Sequence, residues 1–163
     1  MTMQPQPQPS PGPTPSHKDL VFFAARWLRS RCSLVFCEMA THMNETPDVI
    51  GWQSGVSTLI ECKVTRGDFL KDQKKFFRRQ PQVGLGVHRY YLCPAGVIMN
   101  KDLPSGWGLI WMKGVRPKVI VYAGHYFETN PQGEIRFLAS MLRRAQIRIE
   151  PRHLSDWLRW VNR

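Results

Sequence analysis

The sequence predicts an α/β domain, and three observations lead to that class. Apolar residues recur at helical spacing over residues 18–31, which is typical of an amphipathic helix. Short apolar segments with strand-like alternation follow, beginning at residues 34–39. A second helical pattern at residues 66–77 then separates these strands from later ones. With 42% hydrophobic content in 163 residues, such a domain can bury a substantial core.

The chain divides by composition into a tail and one domain. Residues 1–16 carry proline at every odd position from Pro5 to Pro15, which favours solvated polyproline II and predicts a disordered Pro/Gln-rich tail. Residues 17–163 are expected to form a single domain. The tail lacks the basic start and apolar centre of a secretory signal, so a cytoplasmic location is expected. A protein partner that recognises the proline run is the alternative to a disordered leader.

After the first strand, two acidic residues and a lysine lie on or beside two further strand-like runs. Asp48 begins one apolar run, and Glu61 and Lys63 lie on the next, with Gln53-Ser54-Gly55 as the turn of a hairpin. Because side chains alternate along a strand, Glu61 and Lys63 share a face, while Ile60 and Cys62 point the other way into an apolar layer. A hairpin would bring Asp48 close to Glu61.

These residue types suit phosphodiester hydrolysis. Two carboxylates can hold Mg²⁺, and the main-chain carbonyl of Cys62 would supply a further hard oxygen ligand. A lysine beside them would position a water molecule or stabilise the charge of the transition state. The alternative is that these residues have no catalytic role. Pro-Asp begins many turns, and Glu-x-Lys can be an exposed strand face with a weak ion pair.

Asp48 and the Glu61-x-Lys63 motif resemble the PD-(D/E)xK nuclease superfamily. Within that superfamily, the runs at residues 60–70, 89–94 and 106–109 resemble the MmcB-like DNA repair endonucleases. The resemblance implies a restriction-endonuclease-like αβββαβ core, with a mixed central sheet flanked by helices and extra C-terminal helices. It also implies that Asp48 and Glu61 bind Mg²⁺ or Mn²⁺ and that Lys63 is the catalytic lysine. Glu38 matches an acidic position of these proteins, although a partly exposed strand acid describes it equally well.

A basic helix is predicted directly after Lys63. Thr65 and Asp68 form a capping box, so a helix should run from about Arg66 to Phe77, with its N-terminus facing the metal cleft. Its polar face would contact nucleic acid, unless it is merely a solvated face. The candidate contacts are Arg66, Lys71, Gln73, Lys74, Lys75, Arg78 and Arg79.

The rest of the chain supplies further elements. Residues 80–87 contain Pro81, Gly84 and Gly86 and predict a loop, and residues 89–92 predict a buried strand. Residues 107–112 and 118–122 predict a second hairpin. Two C-terminal helices are expected, at about residues 134–148 and 153–161.

The net charge and hydrophobicity of the chain limit the classes of binding partner to be expected. With 23 Lys and Arg against 12 Asp and Glu, the net charge is +11, which favours a polyanion, and DNA is the expected partner. No apolar run is long enough to span a bilayer, so no membrane partner is expected. The four cysteines show no Cys-x-x-Cys spacing and are expected to be reduced thiols.

Two functions follow from these observations. The first is a metal-dependent deoxyribonuclease, expected to be an endonuclease, in DNA repair or processing; whether it is a homodimer that cuts both strands is left open. The second is a non-catalytic nucleic-acid-binding or interaction protein that retains the nuclease fold.

Overall fold

A computed structural model describes residues 14–40, 45–124 and 127–145. They form ten helices and strands, and two short 3₁₀ turns at Pro81–Val83 and Asn100–Asp102. The elements are α1 (His17–Arg29), β1 (Leu34–Cys37), β2 (Val49–Gln53), β3 (Val56–Cys62), α2 (Arg66–Gln73), α3 (Phe76–Arg79), β4 (His88–Pro94), β5 (Gly108–Lys113), β6 (Arg116–Val121) and α4 (Pro131–Arg144).

The strands form one mixed sheet in chain order, from β1 to β6. The pairs β1–β2, β2–β3 and β5–β6 are antiparallel, whereas β3–β4 and β4–β5 are parallel. Parallel strands need a crossover, and α2 and α3 lie in the chain between β3 and β4. The carboxyl ends of β3, β4 and β5 therefore meet at one edge of the sheet.

Each face of the sheet is covered by helix. Leu20, Ala24 and Leu28 of α1 pack with Ile60 and other strand residues in the main apolar core. On the opposite face, the ring of Phe69 from α2 meets Tyr91 of β4 edge-on, with ring centroids 5.0 Å apart. The alternation of β3 thus directs Ile60 toward α1 and leaves Glu61 on the face that α2 covers.

The chain divides into two compact units, residues 1–130 and residues 131–163. All six strands belong to the first unit. Of the second unit, the structure describes helix α4, which has Glu134 in its first turn and Arg143 and Arg144 in its last. Among the described residues, no helix combines the length and the apolar character needed to cross a bilayer.

Most sequence predictions of structure are confirmed. The α/β class, the order αβββαβ and both hairpins are present, and Thr65 accepts the capping hydrogen bond from the Asp68 amide. The turn between β2 and β3 places Ser54 and Gly55 at positive φ, as a tight hairpin requires. Residues 1–13 of the predicted tail and the predicted helix at 153–161 lie outside the described residues.

Three boundaries differ from the predictions. The helix predicted to reach Phe77 ends at Gln73, and a separate turn of helix begins at Phe76. Ser16, assigned to the tail, instead caps α1. Glu38 lies just beyond β1 rather than within it, at a φ of 47°.

Candidate active site

The Asp48, Glu61 and Lys63 side chains meet at one edge of the sheet. The register that pairs Val49 with Ile60 places Asp48 opposite the end of β3, and Oδ2 of Asp48 accepts a 2.7 Å hydrogen bond from the Cys62 amide. Nζ of Lys63 lies 2.8 Å from Oε2 of Glu61 and 3.9 Å from Oδ2 of Asp48. The two carboxylates therefore share one ammonium group.

Burial sets the charge state of this cluster. Glu61 is 1% exposed, and the side chain of Asp48 is 18% exposed. Burial and the negative charge of Glu61 raise the pKa of Asp48 to about 6. Burial acts to lower the pKa of Lys63, but Glu61, Asp72 and Asp48 outweigh it and raise that pKa. Lys63 is therefore a cation at neutral pH.

A second layer of charge lies behind these residues and is centred on Arg78. Its side chain is 2% exposed, and it contacts three carboxylates. Nη1 lies 2.5 Å from Oε1 of Glu45, Nη2 lies 3.0 Å from Oε1 of Glu61, and Nε lies 2.8 Å from Oδ2 of Asp72. Its guanidinium thus forms an ion pair with the Glu61 oxygen that Lys63 does not contact.

Asp72 connects the two layers. Its Oδ1 lies 3.3 Å from Nζ of Lys63 and 2.8 Å from Nζ of Lys75, and its Oδ2 accepts a 2.9 Å hydrogen bond from the Tyr91 hydroxyl. Burial acts to raise the pKa of Asp72, but Arg78 and Lys63 outweigh it, so the pKa of this carboxyl lies well below its usual range. Asp72 is therefore ionised and holds Lys63 in place.

Sequence reasoning did not assign site roles to Glu45, Asp72 or Tyr91. One signal for Asp72 was available, because Phe69 and Asp72 are three residues apart and share the buried face of α2. An acid on an apolar helical face needs a buried cation. For Glu45 no comparable pattern exists, because its partners Arg78 and the Leu85 amide are brought to it by tertiary folding.

Arg78, predicted to contact nucleic acid from the surface, is instead buried in the interior. Its guanidinium is buried among carboxylates and is not available to a phosphate. Arg66 is exposed, but it makes a bidentate ion pair with Asp102, at 2.7 and 2.8 Å. Gln73 donates to the Asp102 carbonyl, at 3.2 Å.

The other candidate contacts remain on the surface. Lys75 is half-exposed and forms an ion pair with Asp72. Lys71, Lys74 and Arg79 are exposed, and they make no ion pair with any carboxylate in the described part of the chain. Three predicted cations of the basic helix are thus available to a phosphate backbone.

The Glu38 carboxylate is connected to that of Asp48 through a histidine. It is 51% exposed and lies 3.3 Å from Nε2 of His17, which lies 3.6 Å from Oδ1 of Asp48. The Glu38 amide also donates to the Asp48 carbonyl, at 2.9 Å. His17, the first residue of α1, had no predicted role. The structure places Glu38 at the rim of the site rather than on its floor.

The two carboxylates of the site are oxygen donors of the kind that small hard cations prefer. Nowhere in the described ranges do three His, Cys, Asp or Glu side chains surround a metal position. Mg²⁺, however, commonly binds through one or two carboxylates and completes its shell with water and substrate phosphate. Asp48 and Glu61, which both lie within 4 Å of Nζ of Lys63, offer such a pair. The Cys62 thiol is no ligand, because it is buried in the α1 core and burial keeps its pKa well above the ordinary value.

Known proteins offer one structural likeness. No protein-family model matches the sequence, and no curated protein matches it either. The fold is similar to that of a solved protein of unknown function from Silicibacter pomeroyi, with a TM-score of 0.61 and 22% sequence identity over 80% of this chain and 88% of that one. At this identity the likeness shows the fold alone.

Proposed function

We propose that this protein is a Mg²⁺- or Mn²⁺-dependent nuclease that hydrolyses DNA phosphodiester bonds. One observation carries the proposal: Asp48 and Glu61 converge on the ammonium group of Lys63 at one edge of the sheet. Burying two ionised carboxylates destabilises the folded state unless nearby cations balance their charge. The raised pKa of Asp48 is in keeping with a site that lacks one positive charge.

Three groups would hold the divalent ion: the carboxylates of Asp48 and Glu61 and the carbonyl of Cys62. The ion, when bound, would polarise the scissile phosphate and lower the pKa of a water molecule. Lys63 would place its ammonium beside the phosphate, where negative charge develops in the transition state. Its raised pKa keeps it protonated for that role.

The second layer serves the first by positioning it. Asp72 holds Lys63 from behind, and Arg78 holds Glu61 by its second oxygen. Both supports are buried, so their geometry is set by packing rather than by solvent. Catalytic groups held by buried ion pairs lose little conformational freedom when substrate binds.

The substrate class follows from charge. The net charge is +11, and Lys71, Lys74 and Arg79 are exposed on the basic segment that follows the site. Such cations bind the phosphate backbone without reading sequence. The resemblance of the motif residues to MmcB-like proteins adds DNA repair or processing in the bacterial cytoplasm to the proposal, with Glu38 in a supporting role at the rim.

The deciding experiment pairs cleavage with metal binding. The purified protein is incubated with Mg²⁺ or Mn²⁺ and labelled single-stranded, duplex, flap and branched DNA, beside Asp48→Asn, Glu61→Gln and Lys63→Met. Mn²⁺ affinity is measured separately by calorimetry. We expect all three variants to lose cleavage, and only Asp48→Asn and Glu61→Gln to lose Mn²⁺ affinity. Glu128→Gln is the control, because Glu128 is exposed and makes no ion pair within the described ranges.

The alternative function has its own support. Both oxygens of Glu61 already contact cations, Lys63 and Arg78, which favours a charge-balanced core that needs no metal. Absence of cleavage on every substrate, with Mn²⁺ affinity equally weak in Asp48→Asn and the parent, would establish the non-catalytic binding protein. Salt-sensitive DNA binding would then survive all three substitutions.

A further inference from the structure

Two adjoining cavities open beside the C-terminal half of α1, away from the carboxylate site. The first has a volume of about 440 Å³ and lies against Tyr90 and Tyr122, and the second has a volume of about 370 Å³ and lies against Arg26 and Arg116. Trp27 and Arg31 line both cavities, and the two cavities together form the α1 groove. Volumes of this size suit a nucleotide-sized ligand.

The α1 groove lies at the far end of β3. Val56 and Thr58, near the start of that strand, line the first cavity, whereas Glu61 lies near its other end, at the candidate active site. The groove is therefore separate from the cluster of Asp48, Glu61 and Lys63.

The charge of the α1 groove has one sign. No aspartate or glutamate is among the described residues that line either cavity. Arg26 and Arg116 are exposed, and in the described ranges neither makes an ion pair with a carboxylate. Arginines without acidic partners attract an anion, and three of them along one groove can pair with more than one phosphate.

Arg31 is held in a fixed pose. Its guanidinium carbon lies 4.0 Å from the centroid of the Trp27 ring, and its Nη1 donates to the Trp27 carbonyl at 3.0 Å and to Oγ of Ser30 at 2.7 Å. These contacts use one side of the guanidinium and lower the entropy that a ligand would have to remove.

An aromatic side chain completes the α1 groove. Tyr122 lines the first cavity and is 76% exposed, which is unusual for a large ring. An exposed ring beside arginines is the arrangement on which unpaired bases stack while the backbone follows the cations. A duplex keeps its bases paired and stacked and would not fill such a cavity.

We propose that the α1 groove binds single-stranded nucleic acid, with a base stacked on Tyr122 and phosphates paired with Arg26, Arg31 and Arg116. The site goes beyond the proposed nuclease, since it requires neither Lys63 nor a metal. In a nuclease it would hold an unpaired strand at a distance from the point of cleavage.

The test measures binding without turnover. A fluorescently labelled single-stranded DNA is titrated with full-length protein in EDTA, at several salt concentrations. We expect Tyr122→Ala to weaken binding about tenfold, since stacking on an aromatic ring is worth about 1–3 kcal/mol per base, and Tyr122→Phe to retain affinity. We expect Arg26→Ala/Arg116→Ala to lower the salt-dependence slope by about 1.4, since each phosphate contact on a single strand contributes about 0.7.

Arg29→Ala controls for the loss of one positive charge outside the groove, because Arg29 is on the same helix and lines neither cavity. The proposal is overturned if Tyr122→Ala binds like the parent, or if Arg29→Ala loses as much affinity as the double variant. It is equally overturned if duplex DNA or polyglutamate displaces the strand as well as unlabelled single-stranded DNA does. Because the titration contains EDTA and no divalent ion, its outcome does not depend on cleavage, and failure of the nuclease proposal leaves this one standing.

Discussion

Nζ of Lys63 lies 3.3 Å from Oδ1 of Asp72, although Lys63 follows β3 and Asp72 lies on α2. The contact joins the predicted motif to an acid that the motif does not include. It is buried, since Lys63 is 7% exposed and Asp72 is 1% exposed. Helix α2, which follows the motif, therefore orients the lysine of the motif through Asp72.

Asp72→Asn should destabilise the protein in a pH-dependent way. Because the native pKa of Asp72 is lowered, its carboxylate stabilises the fold fully above its unfolded pKa of about 4, and that contribution is lost as the pH falls further. We expect a cost of about 3 kcal/mol at pH 7, which shrinks progressively below about pH 5. Urea unfolding at a series of pH values measures it.

The same series on Glu128→Gln controls for removal of one carboxylate from the surface. A cost of Asp72→Asn that is equal at pH 7 and pH 3 would show that the carboxylate gains nothing from Lys63 and Arg78.

Arg78→Met should cost far more stability than Arg79→Met. The first substitution leaves Glu45, Glu61 and Asp72 buried with one cation fewer, and breaking a buried ion pair costs about 3–5 kcal/mol. Arg79 is exposed, so its substitution should stay within about 0.5 kcal/mol. Chemical denaturation compares the neighbours directly, and similar midpoints would contradict the buried network.

Tyr91→Phe should weaken the support of Asp72 without creating a cavity. It removes the hydroxyl that donates to Oδ2 of Asp72 at 2.9 Å, and a hydrogen bond to a charged group is worth about 1.5–3 kcal/mol. Tyr90→Phe is the control, because Tyr90 lies on the other face of β4, where it packs with Trp27. Equal unfolding midpoints for the two variants would refute the assignment.

Gly86→Ala should be much more harmful than Gly96→Ala. Both glycines have positive φ, 87° and 85°, so each alanine costs about 1–2 kcal/mol for its left-handed backbone. At Gly86 the added Cβ would also lie 2.5 Å from Cβ of Leu59, whereas nothing lies within 4 Å at Gly96. Overpacking adds about 1–3 kcal/mol.

Thermal or urea unfolding of the two glycine variants separates these contributions. Indistinguishable stabilities would mean that the loop before β4 does not press on β3 as the structure describes.

Local pattern was enough to predict much of this protein. Period-two alternation placed Glu61 and Lys63 on one face of β3 and Cys62 in the core, and the Ser54-Gly55 turn is a local signal that sets the hairpin register. The Thr65 capping box likewise depends on residues three apart. Such features are determined by neighbours in the chain, so a sequence reveals them.

The buried charges were decided only by the tertiary structure. Arg78 belongs by composition to a basic surface, but the helix breaks after Gln73 and its guanidinium enters the core, where Glu45, Glu61 and Asp72 meet it. These partners are distant in sequence, and no periodicity connects them. The sequence alone thus determined the strands and the three motif residues, whereas long-range electrostatics in a desolvated interior decided which charges hold the motif and which remain free.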